Sequence, residues 1–308
     1  MAVLDARSRG RKGWRDAMRR VLATLLLILP PALHAAVEAT DDTDQPVRLE
    51  QPAGRIVGLA PHAVEILYAA GAGDRLVGAV SYSDFPVAAQ ELPRVGAYNR
   101  LDLEGILALK PDLVVGWASG NPPGQLDRLR ELGIPVYLTE PRGLRTIAAN
   151  IERLGRLAGS AETAREAAED FRKEAAALTG RYGDRATVPV FYQVWHQPLM
   201  TVDGEHLISR AIERCGGRNI FQDLEGLAAP VTREAVLAKD PEAIVASGMG
   251  EARPEWLDQW RQWPELTAVR RGNLFFVPPS LLQRHGPRII EGMRRLCQHL
   301  ETARSRRD

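Results

Sequence analysis

A fifteen-residue phrase occurs twice in this chain. Leu101-Asp-Leu-Glu104-Gly-Ile-Leu-Ala-Leu-Lys-Pro111-Asp-Leu-Val-Val and Val231-Thr-Arg-Glu234-Ala-Val-Leu-Ala-Lys-Asp-Pro241-Glu-Ala-Ile-Val match by residue class at a constant offset of 130 (234 − 104 and 241 − 111). Each copy reads as an acidic helix start, a one-stripe amphipathic helix, a proline that ends it, an acidic residue and a buried strand. Two copies predict two similar lobes. Ligands of open parallel sheets bind outside the carboxyl ends of the strands, so two such lobes place a ligand cleft between them.

The surrounding pattern supports this. Short apolar runs alternate with helical segments: strands at 55–59, 76–80, 112–116 and 136–138 with helices at 63–70, 103–109 and 124–132. The same grammar returns with strands at 188–194, 243–246 and 274–277 and helices at 207–215, 233–238, 255–260 and 287–303. This alternation predicts βαβ units, hence an α/β fold of two Rossmann-like lobes with central parallel sheets. Residues 55–145 form the first lobe and 182–308 the second. Between them, 146–181 is dense in Ala, Glu, Arg and Leu and predicts a long backbone helix joining the lobes, which Gly159-Ser160 can split.

Charge is uneven along the chain. Residues 1–20 hold seven basic and two acidic residues, a local charge of +5, so the net +1 of the whole chain leaves −4 for the rest. A mildly acidic body lacks the basic face that phosphate backbones require, which excludes nucleic acid as a partner. The basic start leads into an apolar run over 21–29 and a Pro-Pro-Ala-Leu-His-Ala-Ala stretch, the pattern of a secretory signal over 1–36. Nine apolar residues are half of what a membrane span needs. Residues 37–54, rich in Asp, Glu and Thr, are expected to be a flexible leader. An exported chain meets an oxidising compartment, so Cys215 and Cys297, the only cysteines, are expected to form a disulfide.

Four phrases carry a resemblance: Arg55-Ile-Val-Gly-Leu-Ala-Pro-His62-Ala-Val-Glu65-Ile-Leu-Tyr-Ala-Ala-Gly71, Ser81-Tyr82-Ser-Asp84-Phe-Pro86, Glu104 to Val115, and Cys215-Gly-Gly-Arg-Asn219-Ile-Phe221. The chain resembles the periplasmic substrate-binding proteins of ATP-driven importers, in their rigid long-helix class. That class serves siderophores, haem and corrinoids, and the resemblance is greatest to its cobalamin-binding members. It implies a periplasmic receptor, monomeric when free, that captures a corrinoid and hands it to a membrane permease dimer, with no catalysis and no cofactor of its own. It implies Tyr82, Tyr98, Trp117 and Arg284 as cleft residues. Ala228 stands where those members carry a cleft tryptophan, and Ser280 where they carry an acid; Trp195, after a strand of the second lobe, is read as the compensating aromatic. The resemblance also implies that Glu104 and Glu234, one per lobe, meet arginines on the two halves of the permease, whereas helix capping is the plainer role for both.

Other readings are weaker. A siderophore receptor calls for clustered cleft cations, and only Arg284 and Arg100 are evident; a haem receptor on the same scaffold stays open. His62, His196 and His285 each follow a strand end, but no closely spaced His or Cys pair supports a metal site. Trp256, Trp260 and Trp263 fall at helical spacing and read as a core stripe. A two-lobe α/β enzyme lacks motif support: Gly71-Ala-Gly73 follows a helix and has no third glycine of a dinucleotide loop, and Gly116-Trp-Ala-Ser119-Gly120 is out of register for a nucleophile elbow.

Overall fold

A computed structural model describes residues 36–226, 228–248 and 250–307. The chain opens with a hairpin, β1 (Val37–Thr40) and β2 (Pro46–Leu49), then β3 (Ile56–Gly58), α1 (Pro61–Ala69), β4 (Leu76–Ala79), the short β5 (Gly96–Ala97) and β6 (Arg100–Leu101), α2 (Leu103–Ala108), β7 (Leu113–Trp117), α3 (Pro123–Glu131) and β8 (Val136–Thr139). Helices α4 (Leu144–Ala158) and α5 (Ala161–Tyr182) follow. The second lobe runs β9 (Val188–Gln193), β10 (Trp195–His196), β11 (Leu199–Val202), α6 (Leu207–Arg214), β12 (Gly217–Asn219), β13 (Ala228–Pro230), α7 (Arg233–Lys239) and β14 (Ala243–Ala246). It ends with a 3₁₀ helix (Glu255–Gln262), α8 (Thr267–Arg270), β15 (Leu274–Phe276), α9 (Pro279–Leu282) and α10 (Ile289–Ser305).

Two parallel four-stranded sheets, ordered β4-β3-β7-β8 and β12-β9-β14-β15, are the centres of the two lobes. The sequence repeat is a repeat of position: β7 and β14 each lie between the first and last strands of their lobe. Asp102 and Thr232, again 130 apart, are the N-caps of α2 and α7, accepting from the backbone N–H of Gly105 and Ala235. Lys110 and Asp240 leave those helices with positive φ, 47° and 39°, before the matching prolines.

Alternation along the strands sorts side chains into layers. Ile56, Leu113 and Val115 point into a central core, while Val57 and Val114 fill a separate core on the other face of the first sheet. In the second lobe Val190, Tyr192 and Val245 join the central core, and Phe191, Ile244 and Ala246 pack outward with Trp260. The central core is continuous through both lobes, bridged by Ala168, Phe171 and Ala175 of α5.

The helical segment expected over 146–181 is split at Gly159-Ser160, the point the sequence allowed, into two helices. Gly159 adopts φ 70°, a left-handed cap that glycine reaches without strain, and ends α4. The chain turns at Ser160, and α5 folds back on α4 where Gly155 leaves no room for a side chain against Ala164. Only α5 then serves as the backbone helix; its 22 residues span about 33 Å, and it packs on both α4 and α10. The flexible leader is corrected. Residues 37–49 form an ordered hairpin because Ala39, Val47 and Leu49 alternate into the central core. Its turn is pinned by carboxylates: Asp42 accepts from Glu140 N (2.7 Å), Asn150 Nδ2 (2.6 Å) and Arg153 Nη1 (3.0 Å). The expected export signal, Ala36 apart, lies outside the described residues. Cys215 and Cys297 form the expected disulfide, with Cα atoms 4.7 Å apart across an 82-residue separation.

Loops at the carboxyl ends of the two sheets meet in an ion-pair clasp. Glu65 of α1 is buried and accepts from Arg288 Nη2 (2.7 Å) and Nε (3.2 Å) and from Arg284 Nη1 (3.4 Å). Asp84 also takes Arg284, through Nη2 at 3.1 Å and through Nη1, and the Arg288 guanidinium lies 4.2 Å above the Phe85 ring. Burial lifts the Glu65 carboxyl above its ordinary value against the pull of Arg288 and Arg284, whereas the Arg284 hydrogen bond holds Asp84 below its own. Glu65→Ala should therefore cost about 3–5 kcal/mol, since it leaves two guanidinium groups without their buried acceptor. Asp84→Asn, at a half-exposed carboxylate, should cost under about 1 kcal/mol. Urea denaturation measures both; equal, small losses would show that the clasp contributes little to holding the lobes.

Candidate functional site

Of the residues singled out from the sequence for the cleft, the three of the first lobe lie at strand ends, whereas Trp195 opens β10 and Arg284 follows α9. Trp117 ends β7, Tyr82 follows β4, and Tyr98 sits between β5 and β6. The Tyr98 and Trp117 rings are 5.7 Å apart, tilted by 43°, and His62 meets Trp117 edge-on at 5.4 Å. Tyr82 stands apart from this pair in its backbone: it takes φ 63°, a left-handed conformation uncommon outside glycine and asparagine. Its side chain is 76 % exposed and that of Tyr98 is 39 % exposed. Both tyrosines are at the surface and are not core filling.

Trp117 is held flat by its neighbours. A Cβ on Gly120 would lie 1.9 Å from Cε3 of the indole, so the ring rests on bare backbone that no other residue could provide. Behind it, Asn121 Oδ1 accepts the Trp117 N–H at 2.7 Å. An open hollow of about 480 Å³ adjoins this platform, lined by Ala118, Ser119, Glu140, Arg142 and Thr146. There Glu140 accepts from Ser119 N (2.9 Å) and Ser119 Oγ (3.1 Å).

The second lobe presents a different aromatic group. Trp195 in β10 donates from Nε1 to the Gln197 carbonyl at 2.8 Å and contacts His196 at 4.9 Å. His196 in turn stacks on Trp256, 5.5 Å away and 10° from parallel. The tryptophan stripe thus divides: Trp260 is buried with Nε1 on Gln193 Oε1 at 2.7 Å, while Trp256 extends the Trp195–His196 group. Trp256 is partly buried against the outer core of the second lobe, as periodicity marked it, and in addition stacks on His196, sixty residues away in sequence. Ala228 lies in β13. Ser280 donates to Glu251 at 2.8 Å, so an acid from a distant loop sits where the local sequence lacks one. Arg284 gives its guanidinium to the clasp, and the signal for that role was Glu65 and Asp84 in the first lobe, unreadable as partners without the fold.

The histidines do not converge as a set. His285 packs edge-on against His206, 5.3 Å away, whereas His196 belongs to the tryptophan group. Among the described residues, no three His, Cys, Asp or Glu side chains are arranged to hold a metal ion. Thr139 donates its single proton to the Gly116 carbonyl at 2.8 Å, so its oxygen accepts from Nε2–H of His62 at 2.8 Å. His62 is thereby fixed as the neutral Nε2 tautomer. Burial, then the nearby His285, lowers its pKa to about 3; the same two causes lower His206 to about 4.

A base whose pKa falls on folding binds fewer protons folded than unfolded, so the stability it contributes is complete above 6.5 and is lost as pH drops toward the folded value. Between pH 7.5 and 5 His62 alone should withdraw about 2 kcal/mol, with His206 acting in the same sense. The urea midpoint should fall over that interval, and less steeply in His62→Gln. Parallel profiles would show that His62 is not buried in neutral form.

With this geometry in view, comparison with known proteins is informative. A family model, periplasmic binding protein, matches residues 56–281. A vitamin B12-binding protein of Vibrio cholerae serotype O1 is 40 % identical over 253 residues, covering 82 % of this chain and 91 % of the relative. One of Yersinia pestis is 36 % identical, covering 81 % and 87 %. The crystal structure of the periplasmic vitamin B12 binding protein of Vibrio cholerae superposes with a TM-score of 0.75 at 39 % identity over 82 % of this chain and 98 % of that one. A periplasmic haem-binding protein from Roseiflexus sp. RS-1 gives 0.71 at 25 % identity, covering 82 % and 99 %.

Proposed function

The chain belongs to the periplasmic binding protein family, and we propose that it captures a corrinoid, cobalamin in the first place, and delivers it to an ATP-driven importer in the inner membrane. It is a binding protein and not an enzyme. The observation that carries the ligand class is the tilted Tyr98–Trp117 pair at the carboxyl end of the first sheet, with Tyr82 exposed in the loop after β4. A corrin is a broad, nearly flat macrocycle ringed by amides. Its faces suit aromatic rings, and its edge needs a few polar groups to orient it. The Trp195–His196–Trp256 group supplies the second lobe's aromatic surface, in place of the tryptophan absent at Ala228.

Rigidity fits the task. A continuous core through α5 and a buried ion-pair clasp oppose wide opening of the lobes, so affinity comes from a preformed surface and little is spent on closing it. Calorimetric titration with cyanocobalamin tests the reading, with haemin and a ferric siderophore as competitors for the site. Trp117→Ala should weaken cyanocobalamin binding by about 1–3 kcal/mol and leave the melting temperature nearly unchanged. Tighter binding of haemin than of cyanocobalamin would move the chain to the haem branch of its family.

Delivery is assigned to Glu104 and Glu234. Both are exposed, and the helix caps they were weighed against are filled by Asp102 and Thr232 two residues earlier. One exposed carboxylate per lobe, at equivalent positions, matches a permease dimer that offers one basic site per half. The Glu234 carboxyl is kept below its ordinary pKa by its own backbone N–H and by Thr232, so it stays charged at neutral pH. Glu104→Ala and Glu234→Ala should each leave cyanocobalamin affinity intact and weaken association with the permease. The double variant should abolish uptake in reconstituted vesicles, and reversal to Arg should be worse than Ala because like charges across an interface cost several kcal/mol. Full uptake by the double variant would reduce both glutamates to ordinary surface acids.

A further inference from the structure

Asn121 lies in the turn between β7 and α3, is only 3 % exposed, and spends its whole amide on three separate segments of chain. Its Oδ1 accepts the Trp117 N–H at 2.7 Å. Its Nδ2 donates to the Leu59 carbonyl at 2.9 Å and to the Tyr98 carbonyl at 2.7 Å. Leu59 directly follows β3, Trp117 ends β7, and Tyr98 sits in the turn between β5 and β6. One side chain therefore ties the ends of two neighbouring strands to the turn that carries the second aromatic. A carboxylamide suits this node: it offers one acceptor for the N–H and two donors for the carbonyls, whereas a carboxylate would turn an oxygen toward two carbonyl oxygens. Gly120, immediately before it, adds the bare backbone under the indole.

We propose that Asn121 is a positioning residue for the ligand: it sets the separation and tilt of Tyr98 and Trp117 so that the macrocycle meets a finished platform. This rests on the corrinoid reading above. The effect acts through Trp117 and Tyr98, without contact between Asn121 and the ligand, and that is what the test isolates. Asn121→Asp keeps the acceptor and the shape and loses both donors; Asn121→Ser is the alternative if a buried acid prevents folding.

The dissociation constant for cyanocobalamin is measured for each variant in the wild-type and in the Trp117→Ala background, beside the near-ultraviolet circular dichroism of the unliganded proteins. The expected result is about a tenfold rise in the dissociation constant with Trp117 present, shrinking to under about threefold without it, as coupled neighbours behave. The indole band, identified by its loss in Trp117→Ala, should shift before ligand is added. A residue that only supports the fold would lower the melting temperature and weaken binding by the same factor in both backgrounds, and that outcome overturns the proposal, as does an unaltered dissociation constant in a folded variant. If the wild-type protein itself fails to bind cyanocobalamin, the corrinoid reading falls. The indole band then decides the positioning role alone: a shift sustains it and an unchanged spectrum ends it.

Discussion

The buried carboxylate of Glu65 is the constraint on which the arrangement of the lobes depends. It lies in the second turn of α1 and takes Arg288 through two contacts and Arg284 through one, both from the loop and helix end that close the second lobe. A charge so far from water is tolerable only when it is paired and hydrogen-bonded, so the pair is costly to separate once formed. This cost has a functional meaning. A receptor that opened widely would spend binding energy on closing; one whose lobes are clasped by a buried ion pair and braced by α5 would meet its ligand in a nearly finished form. The exposed Asp84 and the Phe85 ring extend the clasp toward solvent, where its contacts are weaker and easier to exchange.

At the site proposed for the ligand, apolar and polar groups divide the work. Aromatic rings supply area: Tyr98 and Trp117 from the first lobe, Trp195, His196 and Trp256 from the second. Buried amides and hydroxyls supply geometry. Asn121 fixes Trp117 and Tyr98, Thr139 fixes the tautomer of His62, and His62 sets its edge against the indole. Each of these polar groups is satisfied by partners of known direction, which makes the platform stiff without making it deep. The hairpin at the start of the fold joins the same chain of contacts, since Asp42 holds the Glu140 backbone and Glu140 holds Ser119 beside Trp117.

Much of this was legible in the chain. The 130-residue repeat determined two equivalent lobes, and in the structure it recurs as matching caps at Asp102 and Thr232 and matching left-handed exits at Lys110 and Asp240. Alternating apolar runs gave the parallel sheets, because a strand covered on both faces must be apolar throughout. The two cysteines in an exported chain predicted their own bond. Local composition misled where tertiary contacts overrode it: an acid-rich leader became a hairpin because three alternating apolar residues found the core, whereas the helical segment broke at Gly159-Ser160, where the sequence allowed it.

What the sequence could not hold is pairing over distance. Glu65 and Arg288 are 223 residues apart, Asp84 and Arg284 are 200, and nothing local in either stretch announces the other. Nothing local marks Asn121 or Gly120 until the fold brings Leu59, Tyr98 and the indole against them. Periodicity reports only which face a residue turns inward. Which buried charge meets which, and which ring is left exposed, is decided when separate elements close on one another, because those energies exist only between groups already brought within a few ångströms.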